Sequence, residues 1–369
     1  MKKIKLGLPS LPYLRHLYFA FLKLIDYDAA RLTFIDRGVE LEAVGPDIRP
    51  VLQDAFKKAI ELSQNYNQKG FRSEFPVTNN ERKKLLPNLL KSLSLPPNAS
   101  ILEALEKYSK SLNSYHQQIF QSLFPFREDG DFIPFQVFLL DLYALTRAPF
   151  FDSKYKFDFK LNIHQTMICI AGYLAARHMA RRIARSRIAR SLLTTLIFPI
   201  NLKVSKYDLY INLRDHVSSI PGLNPEEALI LWFALKLPPS SAEDLLVIDV
   251  EEPGQSMKPI SAVTVHLTDL WLRCGKALSK LKDKEDSVER LLRAALSKAT
   301  QIRRTEADDA IEFVKLLYLA IQEGRESEKL ELMLRASRLE ASLATSKEPG
   351  DKQRYQIARI ARTVTQSLF

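Results

Sequence analysis

Catalysis on phosphates, metals and acyl groups needs particular residues at particular spacings, and this chain of 369 residues holds few of them. Its eleven glycines stand at 7, 38, 45, 70, 130, 172, 222, 254, 275, 324 and 350, so no two are closer than seven apart. A Walker A loop, a dinucleotide GxGxxG turn and a GxSxG nucleophile elbow all bring glycines nearer than that. The histidines (His16, His116, His164, His178, His216 and His266) lie too far apart for an HExxH helix. None precedes an aspartate, which removes the usual metal-nuclease dyad. Cys169 and Cys274, 105 residues apart, cannot form a CxxC zinc site. No catalytic residue, metal ligand or cofactor is expected, and the chain is not read as an enzyme.

Basic residues are the remaining chemistry. With 54 lysines and arginines against 43 acids the net charge is +11, and it is unevenly spread. From Phe159 to Tyr207 there is no acidic residue at all. Lys160, Arg177, Arg181, Arg182, Arg185, Arg187, Arg190, Lys203 and Lys206 give that window +9. A second window, 270–305, sets ten basic residues against Asp283, Glu285, Asp286 and Glu289, for +6. The rest of the chain sums to −4, so two basic islands sit on a mildly acidic body, the pattern of a polyanion site.

Within the first island, Arg177, Arg181, Arg182, Arg185, Arg187, Arg190, Lys203 and Lys206 are the candidate nucleic-acid-binding residues. Between 177 and 190 every basic residue is an arginine, whose planar fork can hold phosphate by two bonds at once. The sequence RIARS at 182–186 repeats immediately as 187–191. Read as part of one long helix from about His164 to Thr194, the repeat turns each arginine by roughly 140° around the axis. Such a helix cannot lie on a core with a single wet stripe, so it must project from the body or be surrounded by phosphate.

Plainer readings compete with each feature. A charge run can be a solvated face, and a tandem pentapeptide a slipped duplication; the acid gap and arginine bias together favour nucleic-acid contact. Residues 154–160, KYKFDFK, could stack bases, but a half-buried strand with Tyr155, Phe157 and Phe159 in the core is preferred. The turn Arg127-Glu128-Asp129-Gly130-Asp131 could hold a divalent cation, yet lacks a further ligand set and reads as a solvated loop. Trp232 and Trp271, inside apolar helical stretches, are assigned to the core.

The elements that position these residues follow from periodicity. A helix is expected from about Tyr13 to Ile25, and RLTFIDRGVELEAV (31–44) reads as a hairpin with Gly38 taking positive φ. Pro46-Asp47 opens a helix, residues 72–100 read as short helices and loops, and 101–124 and 134–147 as helices. Strands are expected within 195–215, a helix capped by Asn224 over 224–237, and a hairpin over 245–266. From Leu267 onward there is only helical periodicity, in five segments broken near Asp283, Arg304, Gly324 and Pro349-Gly350. The fold class is therefore α+β. A mixed region with short hairpins over 1–266 carries the basic helix, and a helical bundle follows over 267–369.

A composition of 46% hydrophobic and 26% charged residues is ordinary for a globular chain and excludes wholesale disorder. Two cysteines make no disulfide framework and suit a reducing, cytoplasmic compartment. The opening MKKIKLGLPSLPYLRHLYFAFLKL imitates a signal peptide until Pro9, Pro12, Arg15, His16 and Lys23 break its apolar stretch. The longest uncharged apolar run, Thr166 to Ala176, falls well short of the roughly 18 residues of a membrane span.

Four segments in the C-terminal half carry a resemblance: NPEEALILWFALKLP (224–238), VTVHLTDLWLRCGKALSKL (263–281), FVKLLYLAIQEG (313–324) and RYQIARIARTV (354–364). With the basicity, the α+β start and the helical end, the chain resembles the large subunit of archaeal type I-A CRISPR interference (Cascade) complexes. The resemblance implies a DNA- and RNA-binding subunit in antiviral defence, beside the 5′ handle of the CRISPR RNA and the flank of the target DNA. Its partners would be backbone and small subunits, with a separate helicase and nuclease doing the cutting. Guide pairing would supply sequence specificity, and protein contacts would tip a nearly balanced strand exchange. The alternatives are a stand-alone RNA- or DNA-binding or scaffolding protein, and an enzyme whose site is assembled from scattered carboxylates.

Overall fold

Apolar residues alternate on both sides of Asp36-Arg37 and pair there into a hairpin of β2 (Ala30–Ile35) and β3 (Gly38–Ala43). The computed structural model describes residues 1–68, 75–114, 123–140, 159–184, 190–200, 220, 222–237, 239–241, 243–252, 258–297, 305–324, 326–346, 348 and 350–368. Two compact units emerge: Met1–Asn212 with Leu246–Ala262, and Leu213–Leu245 with Val263–Phe369.

In the first unit the hairpin gains a third strand, β1 (Lys3–Gly7), for an antiparallel order β1-β3-β2. The sequence pattern does not reveal β1, because the aromatic helix that follows dominates it. Positive φ falls at Arg37 (55°) and not at Gly38. Glycine is needed at 38 for space instead, since a Cβ there would press on the Leu6 carbonyl and the Phe124 ring.

Helix α1 (Pro12–Leu22) buries Leu14, Leu17, Phe21 and Leu22 completely. Around it stand α2 (Arg49–Gln68), the short α3 (Asn79–Lys84) and α4 (Leu86–Ser92), and α5 (Ile101–Ser111). Helix α5 stops earlier than its periodicity suggested and ends in a 3₁₀ turn, Leu112–Ser114. At 134–147 the described part holds only the 3₁₀ turn Gln136–Phe138 before Leu140. The central helix, α6 (Ile163–Ala176), is buried at nearly every position and crosses α1 at Gly172. A Cβ at 172 would overlap the Leu17 carbonyl, so only glycine allows the two backbones to come this close.

The long basic helix expected over 164–194 does not form. Helix α6 ends at Ala176, and the chain turns into β4 (Arg177–Ala184) and β5 (Arg190–Pro199). Alanine and arginine are good helix formers, which carried the helical reading too far. Pairing with the Thr194-Thr195-Leu196-Ile197-Phe198 run overrides that local preference. With β6 (Asp244–Glu252) and β7 (Lys258–His266) the hairpin completes a sheet of order β4-β5-β6-β7. The expected 245–266 hairpin is thus present as β6 and β7.

In the second unit α7 (Glu226–Lys236) joins five consecutive helices: α8 (Leu267–Lys282), α9 (Glu285–Leu296), α10 (Thr305–Glu323), α11 (Glu326–Leu343) and α12 (Asp351–Leu368). Their breaks match the expected ones, and Gly324 takes φ +62° between α10 and α11. Asn224 does not cap α7: Pro225 occupies the N-cap position and no side chain accepts there. Trp232 and Trp271 are both buried, as their apolar surroundings required. Among the described residues no helix is long and apolar enough to cross a membrane.

Candidate nucleic-acid interface

The arginine hairpin is mounted on α6, and the mount is rigid for local reasons. Asn162 and Gln165 form a capping box at the α6 N-terminus, and the Gln165 amide donates to the Arg127 carbonyl at 3.0 Å. One residue into the helix, His164 Nδ1 lies 2.7 Å from the Tyr108 hydroxyl. Burial holds the His164 imidazole down to about 4, so it is neutral at physiological pH. At the other end Arg177 takes extended dihedrals while its N–H still bonds the Tyr173 carbonyl.

A register shift between Arg177 and Met179 puts a bulge at the root of the hairpin. His178 sits in it, buried, with Nδ1 donating to the Ala176 carbonyl at 2.6 Å. Beyond the bulge the register is regular: Arg181 faces Leu193, Arg182 faces Leu192, and Ala184 faces Arg190. Positions 182 and 190 therefore share one face as diagonal neighbours, and position 181 falls on the other.

The candidate residues consequently separate. Arg177 is 3% exposed and lies inside the first unit. Arg181 and Arg182 are on β4, and Arg190 opens β5. Arg185, Arg187, Lys203 and Lys206 lie outside the described residues. From Leu193 to Phe198, β5 is buried and uncharged and anchors the hairpin; Phe198 packs edge-on against Tyr13 of α1 at 5.5 Å. On β6, Asp249 and Glu251 are buried, and Asp249 accepts the Thr195 hydroxyl at 2.5 Å. Both lie on the inner strand β6, whose ends carry two further acids, Asp244 and Glu252.

The second island is built differently. Asp269 pairs with Arg273 one helical turn on. Lys236, 13% exposed at its side chain, is held at 2.7 and 2.6 Å by Glu285 and Glu289 and lies over the Trp232 ring. Burial opposes charge there, but the two carboxylates outweigh it and raise the Lys236 pKa. Arg293 bonds Glu289 at 2.8 Å and stacks on the same tryptophan, and Lys282 lies over Trp271. Arg273, Lys282 and Arg293 of this window are thus engaged within the bundle.

Residues 41–338, most of the chain and parts of both units, match the family described as CRISPR-associated protein, CsaX. The chain belongs to that family. Being a CsaX protein, it is CRISPR-associated, and the match spans the arginine hairpin and α7 to α10. It leaves β1, α1 and α12 outside. No curated protein matches the chain.

The remaining sequence candidates resolve without chemistry. Of the 154–160 stretch only its end is described: Phe159 is buried and stacked on Phe126, and Lys160 and Leu161 bridge Asp129 and Phe132. Tyr155 and Phe157 lie outside the described residues. The acidic turn is clasped against that segment, its Gly130 backed on Leu161 and Asn162, and Glu128 accepts the Ser10 hydroxyl. Among the described residues no group of three metal-binding side chains comes together. In the CsaX chain the strand expected from 195 is present as the end of β5, and the strand character of 177–194 is what the sequence reading missed, although the Thr194-Thr195-Leu196-Ile197-Phe198-Pro199 run carried the β-branched and aromatic signal for its partner.

Proposed function

We propose that this CsaX protein is a non-catalytic nucleic-acid-binding subunit of a CRISPR RNA-guided interference complex, in the position of the large subunit of a type I-A assembly. In that position it contacts the 5′ handle of the guide RNA and the flank of the target DNA and helps to open the duplex. It works in the cytoplasm with backbone and small subunits and leaves cutting to a separate helicase and nuclease.

The observation that carries this reading is the arginine hairpin: an acid-free stretch from Phe159 to Tyr207 in a CRISPR-associated family member. A hairpin suits the role better than a surface helix. Strand pairing at the root lets a hairpin carry cations without the buried apolar stripe that a surface helix needs. Phosphate contacts of this kind position a subunit while guide pairing specifies the sequence. Arg181, Arg182, Arg185, Arg187 and Arg190 are the contact residues, with Lys203 and Lys206 flanking, and Arg177 serves as the buried anchor.

Purification of the tagged protein from its host, with sequencing of bound RNA and identification of copurifying proteins, tests the reading. Repeat-derived RNAs of discrete length and other CRISPR-associated subunits are expected. Heterogeneous RNA, or none, favours a stand-alone binding protein and overturns the assignment.

A further inference from the structure

The second unit contains a cleft of about 500 Å³ where α9, the first turn of α10 and α12 meet. Arg290 comes from α9, Glu306 from α10, and Gln353, Gln356, Arg359 and Ile360 from α12. Gln353, Gln356 and Ile360 recur three and four residues apart, so α12 presents one continuous stripe to the cleft. The volume falls within the usual size of small-ligand sites, and the lining combines an apolar floor with a few polar groups.

Of this unit's eight described arginines five are engaged: Arg273 by Asp269, Arg293 by Glu289, Arg335 by Glu331, Arg354 by Asp309 and Arg362 by Glu340. Arg290 and Arg359 are exposed, and neither has a carboxylate partner among the described residues. Two such guanidiniums lining one cleft suit an anion. Against them, among the described lining residues, stands one carboxylate, Glu306. The Gln353 and Gln356 amides each offer a donor and an acceptor side by side, the complement of a base edge. A duplex cannot enter a space of this size, whereas one unstacked base can.

We propose that the cleft holds one nucleotide of a single-stranded nucleic acid, its phosphodiester between Arg290 and Arg359 and its base over Ile360 within reach of Gln353 and Gln356. This rests on the nucleic-acid-binding reading in kind but on different residues. The hairpin tracks the backbone of an extended polymer, and the cleft takes one extruded unit of it.

Phenylglyoxal modification of the full chain, read by mass spectrometry, tests the proposal at the two arginines themselves. Arg338 is also exposed and lies outside the cleft, so it is the internal reference. A short single-stranded DNA of mixed sequence should slow modification of Arg290 and Arg359 by about fivefold or more, as bidentate phosphate contact requires, and leave Arg338 unchanged. The same strand annealed to its complement, and inorganic phosphate at the same concentration, should protect neither. Equal protection by inorganic phosphate would reduce the site to an anion contact and overturn the nucleotide assignment. Absence of protection by the single strand would overturn it outright. A protein with Arg181, Arg182, Arg185 and Arg187 changed to alanine, at saturating oligonucleotide, should keep the cleft protection even where hairpin binding is abolished. If protection disappears with the hairpin, the cleft is not an independent site. If the hairpin changes have no effect on affinity while the cleft stays protected, the interface reading fails and this one stands.

Discussion

The arginine hairpin and the helix pair of α8 and α9 each hold six basic residues, but only the helices set acids among them. In the helices, acids one turn away bind Arg273 and Arg293, α9 lends Glu285 and Glu289 to Lys236 of α7, and Trp232 and Trp271 lie beneath Arg293 and Lys282. The hairpin lies in a 49-residue window without an acid, and two carboxylates of its sheet, Asp249 and Glu251, are buried on β6. Net charge over a window therefore says little until the partners are known. Helical i,i+4 geometry makes neutralisation local, whereas a strand pair draws its neighbours from distant sequence.

The largest effect that would sharpen this contrast is on binding. Changing Arg181, Arg182, Arg185 and Arg187 together to alanine should lower affinity for single- or double-stranded DNA on the order of a hundredfold at physiological salt. The plot of log affinity against log salt should flatten by roughly 0.7 to 0.9 for each phosphate that is no longer neutralised. The drop should be nearly uniform across sequences, because phosphate contacts position without specifying. The matching change of Lys276, Lys280 and Lys284 in the second unit should cost far less. Filter binding across a salt series measures both, and equal drops would erase the distinction drawn between the two regions.

Next in size is the mounting. Gly172→Ala places a methyl against the Leu17 carbonyl, forcing α1 and α6 apart at a cost of about 2 kcal/mol. Thermal denaturation should show the first unit melting earlier while the helical unit keeps its transition. An unchanged melting profile would mean that α6 is not the rigid base from which the hairpin springs.

A pH change should also separate the units. His164 has its pKa depressed to about 4 by burial, below the ordinary histidine value. Between those two values the unfolded chain binds more protons than the folded one, so the folded state is undiminished at neutral pH and loses stability as pH falls. From pH 7 to 5.5 the loss is about 1 kcal/mol, read as a lower urea midpoint for the first unit. The pairs of the second unit gain from ionised carboxylates, and Glu289 is held below the usual range by Lys236 and Arg293 against the opposing effect of burial. That unit should keep its midpoint over the same interval. His164→Phe should remove the first unit's pH dependence.

How far the sequence could be read follows the same divide. The five C-terminal helices and their breaks were legible because each buries a stripe of its own, as Val314 and Leu317 do on α10. Strands β1 and β4 and the start of β5 were not, because their stability lies in partners far along the chain: β1 pairs with β3, and β5 stands between β4 and β6. Alanine and arginine between 177 and 190 favour helix when considered alone, and the competing signal sat in the next strand. The arginines of the interface were named from charge and spacing, but the geometry that presents them was not. The cleft was beyond reach of sequence, since α9 and α12 meet there only after the bundle has closed.

The smallest effect concerns one exposed pair. Arg273 and Asp269 are both more than half exposed at their side chains, so their bond contributes little to stability. Asp269→Asn leaves the packing of α8 intact and frees one guanidinium beside Lys276. If charge alone recruited nucleic acid to the second unit, uncovering a cation there should raise affinity strongly. The contrast predicts otherwise: a gain of no more than about threefold at low salt, fading as the Debye length shortens. Binding by that unit should run through Arg290 and Arg359, where geometry and not surplus charge selects the ligand. Anisotropy titration of a labelled single strand at two salt concentrations measures the gain. A tenfold rise that persists at the higher salt would place α8 on the path of the nucleic acid and make the two islands equivalent after all.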